Sequence, residues 1–534
     1  MQIDDLQLKS KCSVLYSAEC QRGRKELSAY FSNMGVKRNF VYSSILTTSN
    51  YIFPLVTFPY ISRVLGVTNI GICNFVDSIV YYFIMFSMMG ITFVGIREIA
   101  KANGNQERLN LVFSRTFKIN LILTVISVVA YLIFFEIRSD LKQFSVLYYV
   151  GLLKLISNLF LVEWFFNGTE NFRFITIRSL IVKTLYVISL FLFVRESSDY
   201  TIYYFLTCAM VAVNALVNWH YKRNFVKFSF SVKISMDIIR PVMVIGLFSL
   251  LTSMYNTFNV VYLGFVAGPT DVGYYTTASK LYTILLALYS AFTGVMLPRI
   301  SRLLEDGEKD KVINLLRKAF EILFICSPIV IFSAESLAPD IIYVLSGKGY
   351  EGAIVPMMII LPLVLIVGIE QILILQILMP LKQDKSIFYN SIIGAIVGIT
   401  LNLLLVSSLK SIGSSVSWVL SEIVVMLCSF FYVRRLINVD IPCATIYSTL
   451  ECISSCIRFL LPASLTTALA IECGKCSSRH AAILNSSSSG IPLNEYTLLT
   501  VGLAFVSVPV LSNTIVSASA IASKNLPPLT VALA

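Results

Sequence analysis

The sequence predicts an all-α, polytopic membrane protein made of two parallel-repeat six-helix bundles, and three observations predict it. Of 534 residues, 56% are hydrophobic and only 13% charged, with a mean hydropathy of +0.78, far outside the soluble average. The apolar residues come in runs of roughly 20, the length that crosses a hydrocarbon core of about 30 Å, and short polar loops divide them. A phrase near the start, GVTNIGI at Gly66 to Ile72, returns as GPTDVGY at Gly268 to Tyr274, a spacing of 202. The runs lack the ten-residue alternation of a membrane barrel, so the spans are helices.

Taken in order, spans are expected at about 40–62, 74–96, 117–137, 143–166, 173–194, 200–220, 241–266, 278–298, 319–337, 353–380, 386–407 and 412–433. Two weaker candidates follow at 457–472, shortened by Pro462, and at 496–522, rich in Ser and Val, giving up to two additional C-terminal helices. The expected domains are a cytoplasmic N-terminal segment (1–38), a first bundle (39–220), a second bundle (221–440) and a C-terminal tail (441–534).

Lys and Arg set the orientation, because cytoplasmic loops retain positive charge. Lys37 and Arg38 precede span one, Arg97, Lys101, Arg108, Arg115 and Lys118 follow span two, Lys222, Arg223, Lys227, Lys233 and Arg240 follow span six, and Arg299, Arg302, Lys309, Lys311, Arg317 and Lys318 follow span eight. The alternate loops are nearly bare, which places both ends of the twelve-span core in the cytoplasm. The same asymmetry accounts for the net charge of +12 without nucleic acid as a partner.

The first apolar run is longer than the h-region of a secretory peptide and has no small-residue cleavage site after it, so the first helix is expected to stay. Eleven Cys, several inside spans, do not make a disulfide framework. CGKC at Cys473 to Cys476 has no second pair and only His480 nearby, so neither a metal site nor a cofactor is expected.

Each copy of the repeated phrase stands in a short outer loop at the start of the second helix of its half. At the same spacing Val64 matches Val266, Thr68 Thr270, Arg97 Arg299, and Arg115 Arg317. Six spans, an even number, separate the copies, so the halves point the same way. A parallel repeat relates two bundles by an axis along the membrane normal, with a cavity between them.

Polar stripes offer walls for that cavity. Ser44, Thr47, Thr48 and Tyr51 recur at helical spacing in the first span, and Ser249, Thr252, Ser253, Asn256 and Asn259 in the seventh. Packing between helices is the alternative use of such small hydroxyl residues. Ionisable residues inside spans cost about 2.5–3.5 kcal/mol each at a helix centre, so they should meet water or a partner. Lys154 and Lys183 lie near mid-depth and Lys280 enters span eight from the outside, a cation set suited to an anionic, phosphate-like head group. Snorkelling or a structural ion pair is the other reading. The carboxylates Glu422, Glu370, Asp77 and Glu163 are the candidates for ion coupling, since proton or sodium uptake at such a group can bias a conformational equilibrium.

The stretches NYIFPLVTFPYISRVLGVTNIGICNF (Asn50 to Phe75), GITFVGIREIAK (Gly90 to Lys101), EWFFNGTENFRFITIRSLIVK (Glu163 to Lys183), GAIVGITLNLLLV (Gly394 to Val406) and GSSVSWVLSEIVV (Gly413 to Val425) resemble the flippases that move O-antigen or capsule repeat units, within the multidrug/oligosaccharidyl-lipid/polysaccharide exporter superfamily. The likeness covers roughly residues 36 to 440. It implies translocation of an undecaprenyl-pyrophosphate-linked oligosaccharide across a bacterial inner membrane by alternating access with ion coupling. A cationic cavity at Lys154 and Lys183, with Lys280 as a further candidate, would hold the pyrophosphate and sugar. A polysaccharide polymerase is a candidate partner. Such sequences tend to begin close to their first helix, as MGVKRNFVYSSIL at Met34 does, which makes residues 1–33 an extension or a different start.

A small-molecule exporter of the same architecture is the competing transport reading, disfavoured by the mid-span lysines. A membrane glycosyltransferase or polymerase would need a large loop carrying an acid/base or metal constellation, and the core offers none; His220 and His480 are the only histidines. No enzyme is expected, and no phosphate-binding G-x-x-x-x-G-K-[ST] marks an ATP-driven pump.

Overall fold

The computed structural model describes the backbone of residues 3–436 and most side chains from Asn39 onward, with gaps chiefly in 248–256 and 288–298. The candidate spans at 457–472 and 496–522, Cys473 to Cys476 and the tail at 441–534 lie outside the described residues. Within them all regular structure is helical. In chain order the helices are α1 (Ile3–Met88), α2 (Ile91–Ala102), α3 (Gln106–Ile137), α4 (Ser145–Leu161), α5 (Glu163–Gly168), α6 (Phe172–Phe193) and α7 (Tyr200–Lys222). There follow α8 (Met236–Val266), α9 (Pro269–Glu305), α10 (Lys309–Ser336), α11 (Ala338–Ser346), α12 (Ile354–Ile360), α13 (Leu363–Gln371), a π-helical turn (Ile372–Leu378) and α14 (Asp384–Leu436).

Among the described residues seven segments are long and apolar enough to cross a membrane, or eight if α10 and α11, bent by 73°, form one crossing. The chain is a multi-pass membrane protein. Two of the seven, Val41–Ala102 at 62 residues and Lys385–Leu436 at 52, are far longer than one crossing requires. Each is broken where a loop is expected, at Gly66 (φ 76, ψ 168) and at Lys410 (φ 50, ψ −126). The side chains of α8 and α9, at the expected seventh and eighth spans, are described only in part.

Hydrogen bonds show that both breaks reverse the chain. Thr176 to Tyr42, Lys183 to Ser49 and Tyr60 to Val194 keep a constant spacing of 134, so the first stretch of α1 runs parallel to α6. Cys73 to Tyr200 and Tyr204 to Asp77 keep a spacing of 127, so the stretch after Gly66 runs parallel to α7. Phe174 stacks on Tyr221 and Tyr186 bonds Thr207, which makes α6 and α7 antiparallel; the two stretches of α1 are therefore antiparallel as well. In α14, Asn390 bonds Ser429 and Ser414 bonds Asn402, the pattern of a second hairpin closed near Lys410.

Three expected spans are less regular than the sequence suggests. At 143–166, Val162 adopts a left-handed conformation (φ 39) and separates α4 from α5, whose Trp164, Phe165 and Phe166 are buried. Gly90 (φ 68) bends the second span where a Cβ would stand 2.3 Å from the Val242 carbonyl oxygen. At 353–380 the helix changes to π geometry over Ile372–Leu378, a segment that includes the buried Gln376. An aromatic cluster of Phe113, Phe117, Trp164, Phe165 and Trp219 fills the basic end of the first half.

The repeated phrase is a point of contact. Thr68 Oγ1 lies 3.0 Å from Thr270 Oγ1, and Asn74 Nδ2 donates to Thr276 Oγ1 at 2.8 Å; both pairs are 202 apart. A Cβ on Gly71 would meet the Pro269 carbonyl oxygen at 1.8 Å, and one on Gly273 the Val67 carbonyl oxygen at 2.3 Å, again the same two positions exchanged. Gly66 and Gly268 share a conformation, with φ/ψ of 76/168 and 90/176. Residue i meets residue i + 202 and the reverse also holds, as at an interface with a twofold axis.

Candidate functional site

The first stretch of α1 meets two of the candidate lysines, and neither has a carboxylate partner among the described residues. From α6, Lys183 Nζ donates to Ser49 Oγ at 2.8 Å and to Asn50 Oδ1 at 2.6 Å, with the Phe53 ring centroid at 5.8 Å. From α9, Lys280 Nζ stands 3.7 Å from the Phe58 ring centroid and has no hydrogen bond or ion pair among the described residues. Ser49 and Phe58 are nine residues apart on one helix, about 13 Å along its axis. One cation comes from each side of the contact between Thr68 and Thr270. Neutral partners and an aromatic face hold an ammonium group without cancelling its charge.

Lys154 sits differently. Its Nζ meets Asp77 Oδ1 at 2.5 Å, and the Tyr204 hydroxyl donates to the same oxygen at 3.4 Å. The side chains are 15% and 35% exposed, so two groups that the sequence offers separately, as anion ligand and as coupling carboxylate, meet in one partly buried ion pair. Glu163 likewise accepts from Arg178 Nη2 at 2.9 Å.

Glu370 and Glu422 converge. Glu422 is 5% exposed, and its Oε1 accepts from Trp418 Nε1 at 3.1 Å. The two carboxyl groups lie close to each other, Tyr282 and Tyr275 are nearby, and Glu370 Oε2 is buried without a partner. No cation pairs with either among the described residues.

Of the polar stripes, Thr47 and Thr48 are exposed. Asn259 is buried; it donates to the Tyr275 hydroxyl at 3.1 Å and accepts from Asn402 Nδ2 at 2.6 Å, which joins α8 to α9 and α14. The side chains of Ser249, Thr252 and Asn256 lie outside the described residues. Among those described, no three His, Cys, Asp or Glu side chains gather as a metal site needs.

The contact pair Asn74 and Thr276 and the buried Arg178 are not among the residues singled out in the sequence. The spacing of 202 carries the signal for the first. Arg178 has none, because its burial depends on Glu163, 15 residues earlier on another helix.

Known proteins share this arrangement. The structure is similar to one described as "Lipid II flippase MurJ, inward closed conformation" (TM-score 0.65, 14% identity, covering 90% of this chain and 100% of that one). It is also similar to a MATE multidrug transporter in an outward-facing conformation (TM-score 0.52, 14% identity, 76% and 95% covered). At such identities the likeness is one of fold. In sequence the chain is 26% identical over 420 residues to a protein of Escherichia coli (strain K12) named "Putative O-antigen transporter", covering 76% of this chain and 98% of that one. A protein of the same name from Shigella dysenteriae is 24% identical over 400 residues, covering 73% and 98%. Residues 36–304 match the family model described as "Polysaccharide biosynthesis protein". The chain belongs to the polysaccharide biosynthesis protein family.

Proposed function

We propose that this protein is a flippase that carries an undecaprenyl-pyrophosphate-linked oligosaccharide repeat unit from the inner to the outer leaflet of a bacterial cytoplasmic membrane. Two six-helix halves, with spans as read from the sequence and their N-terminus in the cytoplasm, rock against each other so that the contact between Gly66–Gly71 and Gly268–Gly273 parts and closes. The observation that carries the reading is the pair Lys183 and Lys280. Neither meets a carboxylate among the described residues, both lie along one helix, and they come from the two proposed halves, so a pyrophosphate between them would touch both moving parts. Lys154, already neutralised by Asp77, serves to hold that half together. A proton shared by Glu370 and Glu422 is the coupling ion: its departure leaves like charges close together in an apolar wall, which biases the halves toward another arrangement.

Deleting the gene and analysing the lipid-linked intermediates tests the reading. Undecaprenyl-pyrophosphate-linked repeat units should accumulate on the cytoplasmic side. Complementation with Lys183→Ala or Lys280→Ala, at normal protein level, should restore surface polysaccharide roughly ten- to hundredfold less well than the unaltered chain, as expected for losing a contact to a charged group. Export of small cationic compounds with no change in lipid-linked intermediates would replace the flippase by an exporter of the same architecture.

A further inference from the structure

The outer flank of α6 and α7 bears a cleft of about 470 Å³ lined by Asn171, Arg173, Phe174, Ile177, Arg178, Ile181, Val182, Val217 and Tyr221. It lies at the end of these helices that carries the basic loops. Phe174 and Tyr221 stack at 3.8 Å and brace one side. Ile177, Ile181 and Val217 are 43%, 55% and 39% exposed, a rim that suits hydrocarbon better than water.

Arg178 makes this cleft more than an apolar dent. Its side chain is 5% exposed and only Nη2 has a partner, Glu163; Nε and Nη1 are buried with no acceptor. Guanidinium donors so covered are costly to leave unsatisfied. Arg173 at the mouth is exposed and makes no ion pair among the described residues. No carboxylate lines the cleft.

We propose that the cleft binds an anionic glycerophospholipid of the leaflet on the basic side, its phosphodiester between Arg173 and Arg178 and one acyl chain along Ile177, Ile181 and Val217. Arginine matches phosphate oxygens with parallel donors, and the volume suits a head group with the start of a chain. A lipid-linked oligosaccharide is the poorer occupant. Its glycan exceeds such a volume, and neither Lys183 nor Lys280 lines the cleft. The proposal does not depend on the flippase reading.

The test uses the full chain purified in dodecyl maltoside, with bound lipid counted by native mass spectrometry. Phosphatidylglycerol should be retained about tenfold more than phosphatidylcholine at equal dose, the ratio that one charge-assisted hydrogen bond supports. Val217→Trp fills the cleft from an exposed position without changing charge, and Arg173→Ala removes the cation at its mouth. Each should reduce that preference to near unity while leaving the thermal midpoint without lipid unchanged. Equal retention of the two lipids by the unaltered chain would overturn the proposal, as would an undiminished preference in Val217→Trp. If undecaprenyl phosphate alone were retained, and Val217→Trp abolished its retention, the site would belong to the carrier lipid and the proposal would be wrong.

Discussion

Asp77 and Lys154 are 77 residues apart in sequence, and neither side chain alone tells what the other does. Together they are a charge pair whose removal is asymmetric: losing one partner strands the other in a poor solvent, while losing both costs little. Breaking a fully buried pair costs about 3–5 kcal/mol, and 35% exposure of Asp77 lowers that figure here. Asp77→Asn or Lys154→Met should therefore reduce the thermal midpoint in detergent, and the double variant should recover most of the loss. Equal losses adding up in the double variant would show that the two groups act independently. Glu370 and Glu422 give the opposite case. Glu422→Gln keeps an acceptor for Trp418 Nε1 and supplies a permanent donor to Glu370, so folding should be retained. Transport in this variant should become insensitive to collapse of the proton gradient; an unaltered response would take the pair out of coupling.

Elements carry information at different legibility. The first hairpin was readable because apolar length, the glycine at its turn and the basic residues at its inner ends all agree, and α1 reverses at Gly66 as expected. The break between α4 and α5 was not. Val162 holds φ 39, a conformation that a β-branched residue does not advertise, and Trp164 just beyond it is packed against Phe113. The π turn at Ile372–Leu378 contains no Pro or Gly, and Pro380 just beyond it reads as a helix end rather than a change of helix type. Candidate site residues were legible as types, since a mid-span Lys or Glu is conspicuous, but their pairing depends on contacts between distant helices. That is why Lys154 and Lys183 look alike in sequence and differ in structure. The doubled glycines lead to a prediction at this scale. Gly71→Ala places a Cβ where the Pro269 oxygen is 1.8 Å away, so that contact has to open. Overpacking of this kind costs typically about 1–3 kcal/mol. The variant should lose thermal stability by that order relative to the unaltered chain; an unchanged midpoint in detergent would mean that the contact yields without cost.

Over the whole molecule, the exchange of positions across the spacing of 202 makes the outer contact self-complementary, so it can part and close as a unit rather than slide. The seams beside it are not equivalent. Where α9 passes Phe58 the chain places Lys280, and the matching position after Gly66 is Ser78, whose hydroxyl is bonded to its own helix at Asn74. A symmetric frame thus holds an asymmetric cation, and under the proposed cycle a single anion would be gripped on one side of the axis. If rocking moves cargo, fixing the frame stops it. The Thr68 and Thr270 hydroxyl oxygens are 3.0 Å apart, so Thr68→Cys with Thr270→Cys brings two thiols within reach of an oxidant or a short bifunctional reagent. Cross-linking should abolish delivery of polysaccharide to the surface, and reductant should restore it where a disulfide forms, while each single variant transports normally. Retained transport in a fully cross-linked population, measured by surface polysaccharide against the fraction of shifted protein on a gel, would mean that this contact does not part during the cycle.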